Sequence, residues 1–394
     1  MALAQQESKK QTICLCMIVK NEEEVVTRAL DSVVNFVDYL VICDTGSTDD
    51  TIAVIEDWLG DNNIKGEIHR RPWVDFAHNR TEAFEYGKGK CDYIMTLDAD
   101  EVIAPYKDGK AMLGHKLLTV PELLTDRVDI VTSYGPVSYN RTQFYKDGLS
   151  WPWRWPIHEV CSAPEEKTSS LLMDLCDYPS PDGDRRKDPL RYKRDALVFE
   201  NWVLDNPEDT RAWFYVSQSY RDAGESSKAI DALDKVTDLS KWPEEKWLVT
   251  LRKSRYRVDG GADFMSVSKH LWDAYNIRPT RAEPLHDLLM YFRKNSLWHP
   301  ALLVGELANS IEYPQGELLF VEHEIYNWRI KDELSIVYYH LDRSEEGAKL
   351  MSDILDKKDQ WSLNSDTIKR IRKNLRYCNK RMKEVKEAKE AQAK

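Results

Sequence analysis

The period of the apolar positions changes near residue 195 and divides the chain in two. Before it, short unbroken apolar runs alternate with helical stripes. ICLCMIV at 13–19 has the pattern of a strand buried on both faces, and it stops at Lys20 and Asn21. Asn21 and Glu24 have capping-box spacing, and Val25, Val26, Ala29, Leu30 and Val33 then form a helical stripe. The unit repeats at once. YLVIC at 39–43 predicts a second strand, TGST a turn, and Ser47 with Asp50 the capping spacing ahead of Ile52, Ile55 and Leu59. A weaker third strand surrounds Ile68, a helix is predicted over 76–86, and a fourth strand over 93–97 ends in Asp98, Asp100 and Glu101. Strands alternating with helices pack as right-handed βαβ units, so an α/β domain with a mostly parallel sheet between helices is expected.

After 195 the strand signals vanish. NPEDTRAWFYVSQSYRDAGESSKAIDALDKV sets Trp213, Tyr220, Gly224, Ala229 and Leu233 close to the spacing of a tetratricopeptide helix pair. Leu288, Phe292 and Ala301, then Leu334, Tyr339 and Ala348, are weaker echoes. Each pair cannot bury its apolar face alone, so a stack of three or four is expected over 196–380. Between the two parts, 161–195 contains DYPSPDGDRRKDP and is expected to be a connector loop beside the site. Residues 1–11 are expected to be disordered, and 381–394 to form a basic helical or disordered tail.

Composition narrows the class. With 394 residues, 42% hydrophobic and 31% charged, the chain suits a globular protein of two or three domains. It shows neither an apolar run long enough to span a bilayer nor the apolar block of a signal peptide, so a cytoplasmic protein is expected. Its seven scattered cysteines form no disulfide framework and no metal knuckle; Cys14, Cys16 and Cys43 fall in strand-like runs as small buried hydrophobes. A net charge of −11 argues against nucleic-acid binding. Residues 368–394 nonetheless carry eleven Lys or Arg against three Glu, which suits a solvated helix or peripheral contact with an anionic membrane.

The candidate chemistry gathers where the apolar strands end. Carboxylates at the carboxyl end of a parallel strand face the crevice in which open α/β sheets bind ligands, so Asn21, Asp44, Arg80 and Asp98 should line one site. Asp98 and Asp100, one residue apart, share a face, and a divalent cation bridging to a diphosphate relieves their repulsion. Amides at the helix start after Lys20 suit an anion or a base edge. Asp44 is placed to accept from a nucleoside, and Arg80 to fork onto a diphosphate. WPWRWPIHEV at 151–160 offers aromatic faces for a sugar or base, with His158 and Glu159 side by side; a carboxylate there can take a proton from an attacking hydroxyl, and an imidazole can ligate a metal or contact phosphate.

CMIVKNEEE, CDTGSTDDT, W-x-DFAHNR, YIMTLDADE and IHEV, in this order, resemble glycosyltransferase family 2, inverting enzymes of the GT-A fold, in the subgroup that appends a tetratricopeptide-like domain. The resemblance covers about residues 12–160 by motif, places the catalytic domain at 12–195 and implies a UDP-sugar donor with Mn²⁺ or Mg²⁺. Nucleotide contacts would come from Val19, Asn21, Glu22, Asp44, Arg80, Asp98, Ala99 and Asp100. Asp100 and Asp98 would hold the metal, assisted by His158, and Glu159 would be the general base. Where relatives place a histidine after the H-E pair, this chain offers Asp177, Asp182 and Asp184. The acceptor implied is a glycan, a peptide or a lipid-linked molecule, and the helical part suits self-association into a homo-oligomer. Two competing classes remain. A nucleotidyltransferase would need a glycine-rich basic loop where VKNEEE stands, and a catalytically inactive nucleotide-sugar-binding or helical-repeat scaffold would bind without turnover.

Overall fold

The computed structural model describes residues 10–107, 110–115, 117, 119–134, 137–161, 167–180, 182–317, 319–361 and 363–392. The chain forms two compact units, Met1–Asp205 and Asn206–Lys394, so the division falls later than the change of apolar period near 195. Residues 1–9 of the expected disordered start lie outside the described residues. Gln11 is ordered, its amide exchanging hydrogen bonds of 2.9 and 2.8 Å with the backbone of Leu123.

The first unit runs β1 (Ile13–Val19), α1 (Val26–Val33), β2 (Tyr39–Asp44), α2 (Thr51–Asn62), β3 (Lys65–Arg70), α3 (Phe76–Gly87) and β4 (Tyr93–Thr96). There follow β5 (Glu101–Lys107), β6 (Lys110–Ala111), β7 (Arg127–Tyr134), β8 (Val137–Lys146), β9 (Trp153–Arg154), β10 (Val160–Cys161), β11 (Ser169–Pro179) and α4 (Arg191–Asp205). A nine-stranded sheet has the order β3-β2-β1-β4-β8-β7-β11-β5-β6, and β9 pairs with β10 separately. From β3 to β4 all neighbours are parallel, as the alternation of strands and helices requires. Beyond β4 the sheet turns mixed: β8 lies antiparallel to both β4 and β7, and β11 lies parallel to β7 but antiparallel to β5.

Alternation along β1 builds both layers of the core. Ile13, Leu15, Met17 and Val19 pack with Val26, Leu30, Leu40 and Ile55 on one face. Cys14, Cys16 and Ile18 pack with Val41, Ala83 and Phe84 on the other, where α3 lies. Cys14, Cys16 and Cys43 are buried free thiols.

Three local expectations are corrected. Neither helix start is capped as its spacing suggests: α1 and α2 have no side-chain cap bond. Asn21 sits at φ +55 and accepts instead from Thr48 N at 2.8 Å, while Asp49 receives Thr51 N at 3.1 Å. The third concerns 161–195, which is no simple connector. Ser169–Pro179 is a full strand of the sheet, with Leu175, Cys176 and Asp177 buried; the turn residues that mark a loop begin only where it ends. A carboxylate inside that strand conceals it from a hydropathy pattern, because its partner arginine lies on another strand.

The second unit is helical throughout its regular structure: α5 (Thr210–Asp222), α6 (Ser226–Leu239), α7 (Pro243–Asp259), α8 (Phe264–Ile277), α9 (Glu283–Lys294), α10 (Trp298–Asn309), α11 (Ile330–His340), α12 (Ser344–Asp356) and α13 (Ser365–Gln392). The three expected pairs are α5/α6, α9/α10 and α11/α12, and α7/α8 is a fourth whose sequence hides the pattern. Tyr220, Ala229, Leu233, Leu288, Ala301, Leu334 and Ala348 are buried as the spacing predicts. Close approach needs small residues: a Cβ on Gly347 of α12 would sit 2.8 Å from the Ser335 carbonyl oxygen of α11. The basic tail continues α13 to Gln392. Among the described residues no helix is long and apolar enough to cross a membrane.

Candidate active site

Because β1, β2 and β4 are parallel, their carboxyl ends reach one edge of the sheet. Val19 is level with Asp44 in the register, and Thr96 opposite Cys16 brings Asp98 just past the edge. The loops after β1 and β2 then lock together. Asn21 N donates to Ser47 Oγ at 3.0 Å, Glu22 N to Thr51 Oγ1 at 2.8 Å, and Thr45 N to the Val19 carbonyl at 2.9 Å. Asp44 is buried and collects its own loop's amides, Ser47 N at 3.1 Å and Gly46 N at 3.3 Å. Val19, Asn21, Glu22 and Asp44 therefore do meet, as two interlocked loops at the crevice.

Arg80 is the centre of the constellation. Asp75 caps α3 by accepting from His78 N, and the helix carries Arg80 inward. Its Nη2 donates to Asp98 Oδ1 at 2.6 Å, its Nε to Glu159 Oε1 at 2.6 Å and its Nη1 to Thr96 Oγ1 at 3.2 Å. The guanidinium also lies 5.4 Å from the centroid of the Trp153 ring. Burial alone would raise the Asp98 carboxyl, but Arg80 and Arg141 outweigh it and hold that carboxyl below its usual range. Burial likewise opposes the charge on Arg80, and Asp98 and Glu159 overcome it, keeping the guanidinium firmly protonated.

The H-E pair divides at a backbone turn. His158 has φ +53, which sends the two neighbours different ways: Glu159 reaches Arg80, whereas His158 is exposed and stacks beside Phe199 with centroids 6.2 Å apart. Glu159 Oε1 is engaged by Arg80, and its Oε2 makes no hydrogen bond among the described residues.

A second ionic cluster supports the turn at 98–101. Arg141 of β8 grips Glu101 through two bonds, 2.8 and 2.5 Å, and reaches Asp177 Oδ2 of β11 at 2.8 Å. Glu101 Oε2 also accepts from Asp98 N at 3.1 Å. One guanidinium between two acids fully neutralises only one. Burial first, then the charge of Glu101, push the Asp177 carboxyl well above its usual range, and Asp177 Oδ1 is buried without a partner. Sequence spacing missed Arg141 altogether, since nothing in YNRTQFY separates it from an exposed strand arginine.

Asp100 follows the buried Ala99 and packs against the segment after β11. Its carbonyl accepts from Ser180 N at 2.9 Å, and a Cβ on Gly183 would lie 2.6 Å from its Oδ2. Of the acids offered in place of a histidine, Asp177 is committed to Arg141. Asp182 forms a two-bond pair with Arg28 at 2.7 and 2.8 Å, and the Asp184 side chain lies outside the described residues. Among the described residues no group of three Asp, Glu, His or Cys side chains is gathered as a ready-made metal cage. Mn²⁺ and Mg²⁺ are commonly held by one or two carboxylates plus substrate phosphates, and Asp100 with Asp98 is a donor set of that kind.

A parallel sheet edge with an acid ending β2, an arginine on α3 and a D-x-D turn after β4 defines a GT-A-type domain. Residues 14–114 match the family model described as Glycosyl transferase family 2, so the first unit carries a glycosyl transferase family 2 domain, joined here to a tetratricopeptide-like helical unit. A TPR repeat-containing protein of Synechococcus elongatus is 26% identical over 213 residues, 50% of this chain and 49% of that protein. An uncharacterized glycosyltransferase of Rickettsia felis is 31% identical over 90 residues, 22% of this chain and 28% of that protein. The glycosyltransferase SunS of Bacillus phage SPbeta is 30% identical over 105 residues, covering 27% and 24%. The chain thus spans about half the length of the first relative and about a quarter of the other two. Among solved structures, MamA aligns at a TM-score of 0.35 and 14% identity, covering 45% of this chain and 96% of that one.

Proposed function

We propose that this protein is a metal-dependent inverting glycosyltransferase that moves a sugar from a UDP-sugar to a hydroxyl or other nucleophile of a glycan, protein or lipid-linked acceptor. The observation that carries the proposal is the convergence of Asp98, Arg80 and Glu159 from three separate segments at the carboxyl edge of the parallel strands. The two locked loops bearing Asn21 and Asp44 form the nucleoside side of the crevice, and Arg80, paired with Asp98 and Glu159, orders those two carboxylates beside the diphosphate; Arg80 reaches the phosphates themselves only by giving up one of these partners. Mn²⁺ or Mg²⁺ held by Asp100, with Asp98 and the donor's own phosphates, would offset charge on the departing diphosphate.

In this scheme the acceptor oxygen attacks the anomeric carbon from the face opposite UDP. The bond to the acceptor forms as the bond to the diphosphate breaks, and Glu159 Oε2 takes the acceptor's proton. One displacement inverts the configuration. Arg80 orients Glu159 through Oε1, and His158 stands at the rim to assist phosphate or metal.

Calorimetric titration with UDP, GDP, CDP and dTDP, each with and without Mn²⁺, tests the donor class; metal-requiring UDP binding is expected, and no binding by any nucleotide would leave a scaffold as the function. Glu159→Gln should keep UDP affinity but lower transfer by about 10²–10⁴-fold, and transfer at the wild-type rate would remove Glu159 as the base.

A further inference from the structure

The last helix of the second unit carries charge that its own fold does not use. Acids outnumber bases in the chain, 67 to 56, yet 367–383 holds eight Lys or Arg and no acid. This stretch lies within α13, and the helical period sorts its side chains onto two faces. Ile371, Leu375, Cys378 and Met382 form the inner row and pack with Ala348, Met351 and Ile354 of α12. Two of the eight cations stand beside that row and serve the fold. Arg370 grips Asp332 of α11 through two bonds, 3.1 and 2.7 Å, and Arg381 pairs with Asp342.

The other six, Lys369, Arg372, Lys373, Arg376, Lys380 and Lys383, are exposed. Their spacing places them opposite the inner row, in one stripe roughly 21 Å long at the helical rise. Among the described residues no acid forms an ion pair with Lys369, Arg372, Lys373 or Arg376. Lys380 and Lys383 reach only Glu384 and Glu387 of their own helix, each at 3.7 Å and largely in water.

The energetics of the helix supply the second observation. Like charges three or four residues apart repel, and Lys369–Lys373, Arg372–Arg376, Lys373–Arg376, Arg376–Lys380 and Lys380–Lys383 are all such pairs. Acids interspersed along the stripe would remove that cost and keep the face equally soluble, but Glu384 and Glu387 come only where the stripe ends. A face held at a cost to its own helix gains by meeting a surface of opposite charge.

We propose that the outer face of α13 seats this protein on a membrane bearing anionic lipid headgroups, without insertion. A straight row of cations on one flank of a helix matches a plane of phosphates, and exposed Tyr377, its ring 5.9 Å from the Lys373 ammonium, suits the headgroup layer. Duplex nucleic acid fits less well, because α13 is packed along α12 and cannot enter a groove; a single strand needs a series of exposed aromatics where the stripe has only Tyr377. An acidic protein segment needs pockets for its side chains, and the stripe is the convex back of a helix. The surface belongs to the helical unit and stands whether or not the first unit transfers sugars.

The test is co-sedimentation of the full chain with phosphatidylcholine vesicles containing either no phosphatidylglycerol or about 30%, at about 0.15 M salt. Binding that requires phosphatidylglycerol and falls as salt rises is expected. Each cation near such a surface contributes about a fivefold gain in partition, so the combined Lys369→Gln, Lys373→Gln, Arg376→Gln and Lys380→Gln variant should lose about a hundredfold or more. That variant should keep or raise the thermal midpoint, since it relieves repulsion at exposed positions where glutamine favours helix, so lost binding would not reflect unfolding. Lys369→Arg, Lys373→Arg and Lys380→Arg together should retain binding. No sedimentation with the anionic vesicles, equal sedimentation with phosphatidylcholine alone, or unchanged sedimentation of the glutamine variant would overturn the proposal. So would stripe-dependent binding of poly(U) or polyglutamate that is tighter than binding to the vesicles at the same salt.

Discussion

Arg80→Met removes the cation that holds Asp98 and Glu159 at 2.6 Å each. The arginine side chain is 8% exposed, Glu159 12% and Asp98 35%, so the pair to Glu159 is buried and the pair to Asp98 partly wet. Deleting one partner of a buried ion pair costs about 3–5 kcal/mol, because the other charge stays desolvated. Water reaching Asp98 recovers part of this, so about 3 kcal/mol is expected at pH 7. The sign with pH follows from Asp98. Its folded carboxyl lies below its usual value, so the stability it contributes is present above an unfolded pKa of about 3.9 and is lost as pH falls through the lower folded value. In the variant the Asp98 carboxyl loses its main counter-charge and protonates more readily. Between pH 7 and pH 4 acid therefore relieves the variant while the wild type keeps its contribution, and the difference should shrink by about 1–2 kcal/mol. Two compact units need not unfold together, so hydrogen exchange of the Phe76–Gly87 helix is the suitable readout. A loss below about 1 kcal/mol at pH 7, or an equal loss at both pH values, would refute the account.

Three further outcomes are expected. Gly183→Ala should lower metal-dependent nucleotide affinity with little loss of stability: φ is −63, which alanine accepts, but the new methyl meets Asp100 Oδ2 at 2.6 Å and displaces that carboxylate; calorimetry with UDP and Mn²⁺ reads it. Asp177→Asn should be near neutral at pH 4 and more stable than wild type at pH 8. The raised carboxyl of Asp177 contributes fully below the unfolded pKa, and that contribution is lost as pH rises through the folded value; urea titration at both pH values checks it. Gly347→Ala should destabilise the helical unit by about 1–3 kcal/mol, since the obstacle is the Ser335 backbone carbonyl at 2.8 Å, and an unchanged thermal midpoint would show that α11 and α12 part freely.

The half of the sheet from β3 to β4 is legible in the sequence because strands covered by helices on both faces are continuous apolar runs. ICLCMIV and YLVIC can hardly be anything else. The D-x-D turn and Asp44 are legible for the same reason, standing where such runs stop. Helix pairing in the second unit shows through wherever small and aromatic residues keep their spacing, and fails for α7 and α8. What local pattern hides is every element whose interior carries charge. β5, β8 and β11 contain Glu101, Arg141 and Asp177, and these residues look like surface positions until the fold brings them within hydrogen-bonding reach of one another. Asn21 and Asp50 illustrate the converse, since their spacing offers a cap that the helix starts do not use. The amino-acid order therefore determined the apolar strands, the helix pairs and the place where chemistry could gather. Tertiary structure alone decided that Arg80 binds Asp98 and also Glu159, 79 residues further along the chain from it, because burying a charge requires a partner and the partner need not be near in sequence.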